Sequence, residues 1–196
     1  MGGYENWRKV LTLPNILKEF NPSLSGFVSS KFAVSYENIA RFSVAVSGSI
    51  TADAFNQTKK LIYKMQNDEN VDMKRHWKLV TYMIGANDFC SEICKFDDQE
   101  GLIENAGNNL YAVLKLLKEN LPRTLVNVVL PPDVSTLLLI KNRPIECKFV
   151  NFIECPCFLN KNYAWTLERS QKTIKSWKEH IEMIVGIEEF HDDDVS

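Results

Sequence analysis

The sequence lacks an excess of charge of either sign: 23 Lys and Arg stand against 25 Asp and Glu among 196 residues, a formal net charge of -2. A nucleic-acid binder needs a concentrated positive field to gather phosphates, so no nucleic-acid partner is expected. Long apolar runs are also missing. The longest are fragments such as residues 134–140, well short of the roughly 18 residues of a membrane helix, so no transmembrane segment is expected. Only eight Gly and seven Pro are present, which excludes collagen-like and low-complexity chains. Met1–Trp7 has no basic segment followed by an apolar one, so it reads as neither a signal peptide nor an anchor. Asn6 stands where N-myristoylation requires Ser or Thr.

What is present is an ordinary folding composition, with 45% hydrophobic and 24% charged residues. The length supports one domain, or one large part of one. Such a chain buries about 70% of its unfolded surface, enough for a core without a structural metal. Cys90, Cys94, Cys147, Cys155 and Cys157 fall in two groups. In an exported protein they read as bridges, in a cytosolic one as thiols or a metal site. The spacings Cys90-x3-Cys94 and Cys155-x-Cys157 do not suit a zinc ribbon, which uses C-x2-C pairs. Two bridges would leave one cysteine over, and the sequence does not choose the pairing.

Periodicity divides the chain into alternating elements. Thr12 to Asn21 reads as a short amphipathic helix with an early Pro14 and a stop at Pro22. Arg41 to Ser47 is a compact β-branched run read as a strand, and it leads through Gly48 into a helix over Thr51 to Gln66. Trp77 to Ile84 is a second strand ending on Gly85, and Asp97 with Glu100 marks the start of a helix from about Asp98 to Asn120. Thr124 to Leu130 is a third strand, cut off by Pro131-Pro132. Helical stretches follow near Val134 to Lys141 and from about Tyr163 to Val185, and the acidic tail reads as solvated. Apolar strands alternating with helices predict an α/β fold on a parallel sheet, with chemistry at the carboxyl ends of the strands. Those ends are the loops at Gly48 and at Gly85-Ala86-Asn87-Asp88.

These loops carry a resemblance. Ile84-Gly85-Ala86-Asn87-Asp88-Phe89-Cys90, after Trp77-Lys78-Leu79-Val80-Thr81, resembles the G-x-N-D block of the GDSL, or SGNH, hydrolases in the form found in animal membrane-associated phospholipases B. Residues 42–48 (FSVAVSG) resemble the second block of that family, and residues 12–17 (TLPNIL) with 19–24 (EFNPSL) its upstream helix. Cys147 and Cys155-Pro156-Cys157 match its cysteine pattern, and the likeness covers nearly the whole chain in order.

The resemblance implies a three-layer, flavodoxin-like SGNH-hydrolase fold and Ser-dependent hydrolysis of acyl esters such as phospholipid or lysophospholipid, without metal or cofactor. It implies contact with a lipid surface and an extracellular or cell-surface location. Carried over by position, Gly48 gives its backbone N–H and Asn87 its side-chain amide to the oxyanion, Gly85 allows the close turn, and Asp88 braces the loop. The triplet Asn56-Gln57-Thr58 becomes a glycosylation candidate.

One departure from the family governs the functional expectation. No Gly-Asp-Ser occurs, and none of His76, His180 or His191 has Asp three residues before it, so nucleophile and base are both missing. Loss of either group alone costs about 10⁶ in turnover in a serine protease. Ser47, Ser49 and Ser91 read as turn or cap residues, His76 as a solvated loop residue, and Cys90 as a bridge or structural thiol. The chain therefore reads as residues 1–196 of a partial SGNH domain. The family's Ser block would precede Met1, and its Asp-x-x-His block and last strand would follow Ser196. The absent Ser-bearing strand would be the central one, so strands 41–47 and 77–84 should border an empty slot or collapse onto each other. The expected function is that of a segment of a phospholipase B-type hydrolase, inactive by itself. The alternatives are a catalytically dead SGNH-like protein that binds lipid or a protein, and an unrelated flavodoxin-like binding module.

Overall fold

The computed structural model describes residues 2–29, 40–95, 99–142, 144–159 and 167–191, and these group into two compact units. Residues 1–47 and 57–71 form the first unit; residues 48–56 and 72–196 form the second.

The first unit is organised by helix α1, Leu13–Phe20, which begins after Thr12 with Pro14 in its first turn. Proline suits that position because the first N–H groups of a helix have no intrahelical acceptor. Asn15 is fully buried, and its Nδ2 donates to the Tyr4 carbonyl at 3.0 Å and the Val10 carbonyl at 2.8 Å. Lys18 Nζ donates to the carbonyls of Gly3 at 2.6 Å and Glu5 at 3.0 Å. Two side chains of one short helix thus satisfy carbonyls of the irregular segment before it, whose β pairing among the described residues is a single bridge of Gly2 with Val28.

Residues 41–47, expected as a strand, form turns and irregular backbone, with Val46 exposed. A β-branched run becomes a strand only where a neighbour accepts its ladder of hydrogen bonds, and no described strand pairs with this one. Without a strand at 41–47, neither the bordered slot nor the collapsed pairing is formed among the described residues.

The second unit holds the sheet. Strand β1, Lys78–Tyr82, pairs in parallel with β2, Thr124–Val128, in the register Lys78 with Thr124 through Tyr82 with Val128. Parallel pairing demands a long crossover, supplied here by a helix of 22 residues, Gln99–Asn120. Helix α2, Ala54–Gln66, precedes β1, so the crossover helix is α3. Along α3 the buried positions Leu102, Ala106, Leu110, Val113, Leu114 and Leu117 recur at helical spacing. A fully buried leucine such as Leu110 contributes about 2 kcal/mol.

The expected helix near 134–141 is a shorter 3-10 segment, Val134–Leu138, capped by the Asp133 carboxylate accepting the Ser135 N–H at 2.9 Å. Two helices not foreseen follow, α4 (Ile145–Glu154) and α5 (Pro156–Leu159), before α6 (Leu167–Val185). Asp97 and Asp98, the stretch 163–166 and the acidic residues 192–194 lie outside the described residues.

Helices and a small parallel sheet make an α/β fold. Its core gathers Phe89, Ile93, Leu110, Ile174, Trp177 and Ile181, with Tyr82, Val126 and Val128 of the sheet packed against it. Among the described residues no helix is long and apolar enough to cross a membrane.

Candidate functional site

Gly48, Asn87, Gly85 and Asp88 all lie in the second unit. Both loop glycines occupy the left-handed region, Gly48 at φ 80° and Gly85 at φ 124°, where a side chain is strained. After Gly85 the chain enters a helical segment that becomes a π-helical turn at Asp88–Glu92. The Phe89 N–H donates to the Gly85 carbonyl at 3.3 Å.

Asn87 sits on this turn, and its Nδ2 donates to the Ser49 carbonyl at 2.9 Å. A carboxamide carries two N–H bonds, so one holds the loop just beyond Gly48 and the second is available to another acceptor. A Cβ built on Gly48 would find nothing within 4 Å, so backbone there is open to close approach.

Asp88, only 3% exposed, accepts the Thr51 N–H at 3.1 and 3.0 Å and the Thr51 hydroxyl at 2.6 Å. Asn109 of α3 donates to Thr51 Oγ1 at 3.4 Å and extends the network to the crossover helix. Burial lifts the Asp88 carboxyl above its ordinary range, against the pull of the Thr51 donors. Burial also raises the neighbouring Tyr82 phenol, and the Asp88 charge adds to it. Thr51 and Asn109 were not foreseen. Thr51 had a signal in its place at the start of a helix, whereas Asn109 had none.

The bridges are Cys90–Cys155 and Cys94–Cys157, with Cys147 free and exposed. The Cys94 N–H also donates to Cys157 Sγ at 3.2 Å. Both bridges fasten the segment just after Asn87-Asp88 to the short helix α5 and the residue before it. Asn56 is exposed on α2, while Thr58 of the same triplet is buried. Among the described residues, no group of three or more metal-ligating side chains forms.

The histidines are engaged elsewhere. His76 Nδ1 accepts the Asp72 N–H at 3.1 Å, the His180 ring packs against Gly107 of α3, and His191 Nε2 meets the Val185 carbonyl at 2.8 Å. An arrangement with Asn and Gly donors can polarise an acyl carbonyl; attack on that carbonyl needs a nucleophile and base besides.

Residues 2–193 match the family described as GDSL-like lipase/acylhydrolase, and the chain belongs to that family. Within it the likeness is to the phospholipases B. The membrane-associated phospholipase B1 of Rattus norvegicus is 34% identical over 167 residues, covering 82% of this chain and 11% of that relative. Its Mus musculus counterpart is 34% identical over 164 residues, covering 81% of this chain and 11% of the relative. For the Homo sapiens protein of the same name the identity is 36% over 137 residues, 70% of this chain and 9% of the relative. The chain is phospholipase B-like within the GDSL family, and its match spans no more than 11% of the length of these relatives. No solved structure matches it.

Proposed function

We propose that this chain supplies the oxyanion-binding part of a phospholipase B-type lipid ester hydrolase and, by itself, does not hydrolyse esters. In this reading Gly48 offers its backbone N–H and Asn87 the second N–H of its carboxamide to the oxygen of an acyl carbonyl. Gly85 lets the chain turn, and Asp88 holds the Gly48 loop through Thr51. The observation that carries the reading is the Asn87–Ser49 hydrogen bond of 2.9 Å, which ties the two donor-bearing loops together.

The proposed substrates are phospholipid, lysophospholipid or another acyl ester, met at a lipid surface. The proposed location is extracellular or at the cell surface, because structural disulfides persist in oxidising compartments. The fold is proposed to be that of an SGNH hydrolase without the strand bearing its Ser block and without its last strand, since neither Gly-Asp-Ser nor Asp-x-x-His occurs in the sequence. A second reading, a catalytically dead lipid-binding relative, is favoured by the fully hydrogen-bonded Asp88–Thr51 brace, which holds the loops without any nucleophile.

The test is turnover of lysophosphatidylcholine and of a p-nitrophenyl ester by the purified chain. The proposal expects none above background. Turnover that vanishes on Ser47→Ala or Ser91→Ala would overturn it.

A further inference from the structure

The geometry points to Trp177 as a positioning residue for the Asn87 amide: its indole closes the space beside Gly85 and rests edge-on against Phe89, and so clamps both ends of the turn that carries Asn87. The inference rests on reading Asn87 as an oxyanion donor.

A Cβ built on Gly85 would stand 2.5 Å from Trp177 Cη2 and 2.7 Å from Cζ2, with Pro131 Cγ at 3.3 Å. Real Cβ atoms do not approach so closely, so the indole fills the volume that the missing side chain leaves. The same ring meets Phe89 with centroids 5.2 Å apart and planes at 80°, the edge-to-face geometry favoured by aromatic quadrupoles. Gly85 and Phe89 are joined by their own backbone hydrogen bond of 3.3 Å, and Asn87 lies midway between them. A ring that touches both ends of this closed turn fixes the direction in which Asn87 projects.

The clamp is itself held. Trp177 is 2% exposed, as are Ile174 and Ile181 on the same helix, and His180 packs against Gly107 of α3. Among the described residues Trp177 Nε1 finds no hydrogen-bond partner, so packing and the Phe89 contact hold the indole.

The test compares Trp177→Phe with Ile181→Val in the ¹⁵N-labelled chain. Phe retains a ring for Phe89 but withdraws the indole edge from Gly85; Ile181→Val thins the same buried core one helical turn further on and leaves the indole in place. The inference expects Trp177→Phe to shift the Asn87 side-chain amide and to raise exchange of the Phe89 amide about tenfold, a loss of one 1.4 kcal/mol step. Leu110 and Leu114 should exchange as before, and Ile181→Val should leave Asn87 in place. It is overturned if Trp177→Phe moves Asn87 no more than Ile181→Val does, or if Phe89 and Leu110 lose protection equally. A stability cycle of Gly85→Ala with Trp177→Phe adds a second measure: the two losses should combine to less than their sum, and strict additivity would overturn the contact. Both readouts report the turn itself, so they stand or fall apart from whether Asn87 ever meets an oxyanion.

Discussion

The two glycines of the site loops make an instructive pair. Gly48 and Gly85 both adopt left-handed φ, yet a Cβ at 48 would meet open space while one at 85 would run into Trp177. One glycine keeps a surface clear; the other lets a core helix close on a turn. Their anchoring differs as well. The Gly85 turn continues into two disulfides, whereas the Gly48 loop is held by hydrogen bonds from Thr51 to the Asp88 carboxylate. A family fingerprint of the form glycine-then-asparagine therefore hides two different physical demands on glycine.

The largest expected effect falls on the disulfide-anchored side. Removing both bridges, Cys90–Cys155 and Cys94–Cys157, by serine substitution releases a loop of sequence separation 65, and chain entropy puts the loss at about 4 kcal/mol or more. Chemical denaturation of the oxidised chains would read it. The next test sets the two glycines against each other. Gly85→Ala adds overpacking to backbone strain and should cost about 3 kcal/mol, while Gly48→Ala carries the strain alone and should cost about 1 kcal/mol. Equal losses at the two positions would erase the distinction.

The smallest effect concerns pH. Burial holds the Asp88 carboxyl above its ordinary 3.8, so folding takes up a proton between that value and the raised one. Stability should therefore fall as pH rises through that window, and Asp88→Asn should flatten the slope. Because lowered carboxyls such as Asp68 and Asp72 contribute the opposite slope, the Asp88 part is the difference between the unmodified chain and Asp88→Asn, and a difference of opposite sign would show that the Thr51 hydrogen bonds outweigh burial.

Part of this was legible in the sequence. Residues 78–82 and 124–128 were legible as strands from their apolar, β-branched character, although Leu79 and Leu125 remain exposed and the buried first positions are Lys78 and Thr124. Residues 41–47 carried the same pattern without becoming a strand, since pattern records suitability for pairing and not the presence of a partner. The helices at 54–66 and 99–120 showed their faces through the spacing of Leu61 and Met65, or of Leu110 and Leu114. The cysteine partners were not legible, because pairing depends on which side chains the fold brings within bonding distance. Trp177 could be read only as one more apolar position of its helix. Its contact with Gly85 joins residues remote in sequence, and no local spacing encodes it.

The central claim is that the Gly48 N–H and the Asn87 carboxamide serve one oxyanion. The most direct measurement is a ¹H–¹⁵N titration of the chain with a short alkylphosphonate monoester, a tetrahedral anion that stands for the acyl-transfer intermediate. The account predicts that the Gly48 backbone amide and the Asn87 side-chain amide shift together along a single saturation curve, and that Asn87→Ala abolishes the Gly48 response. Independent responses at the two groups, or none at either, would contradict it.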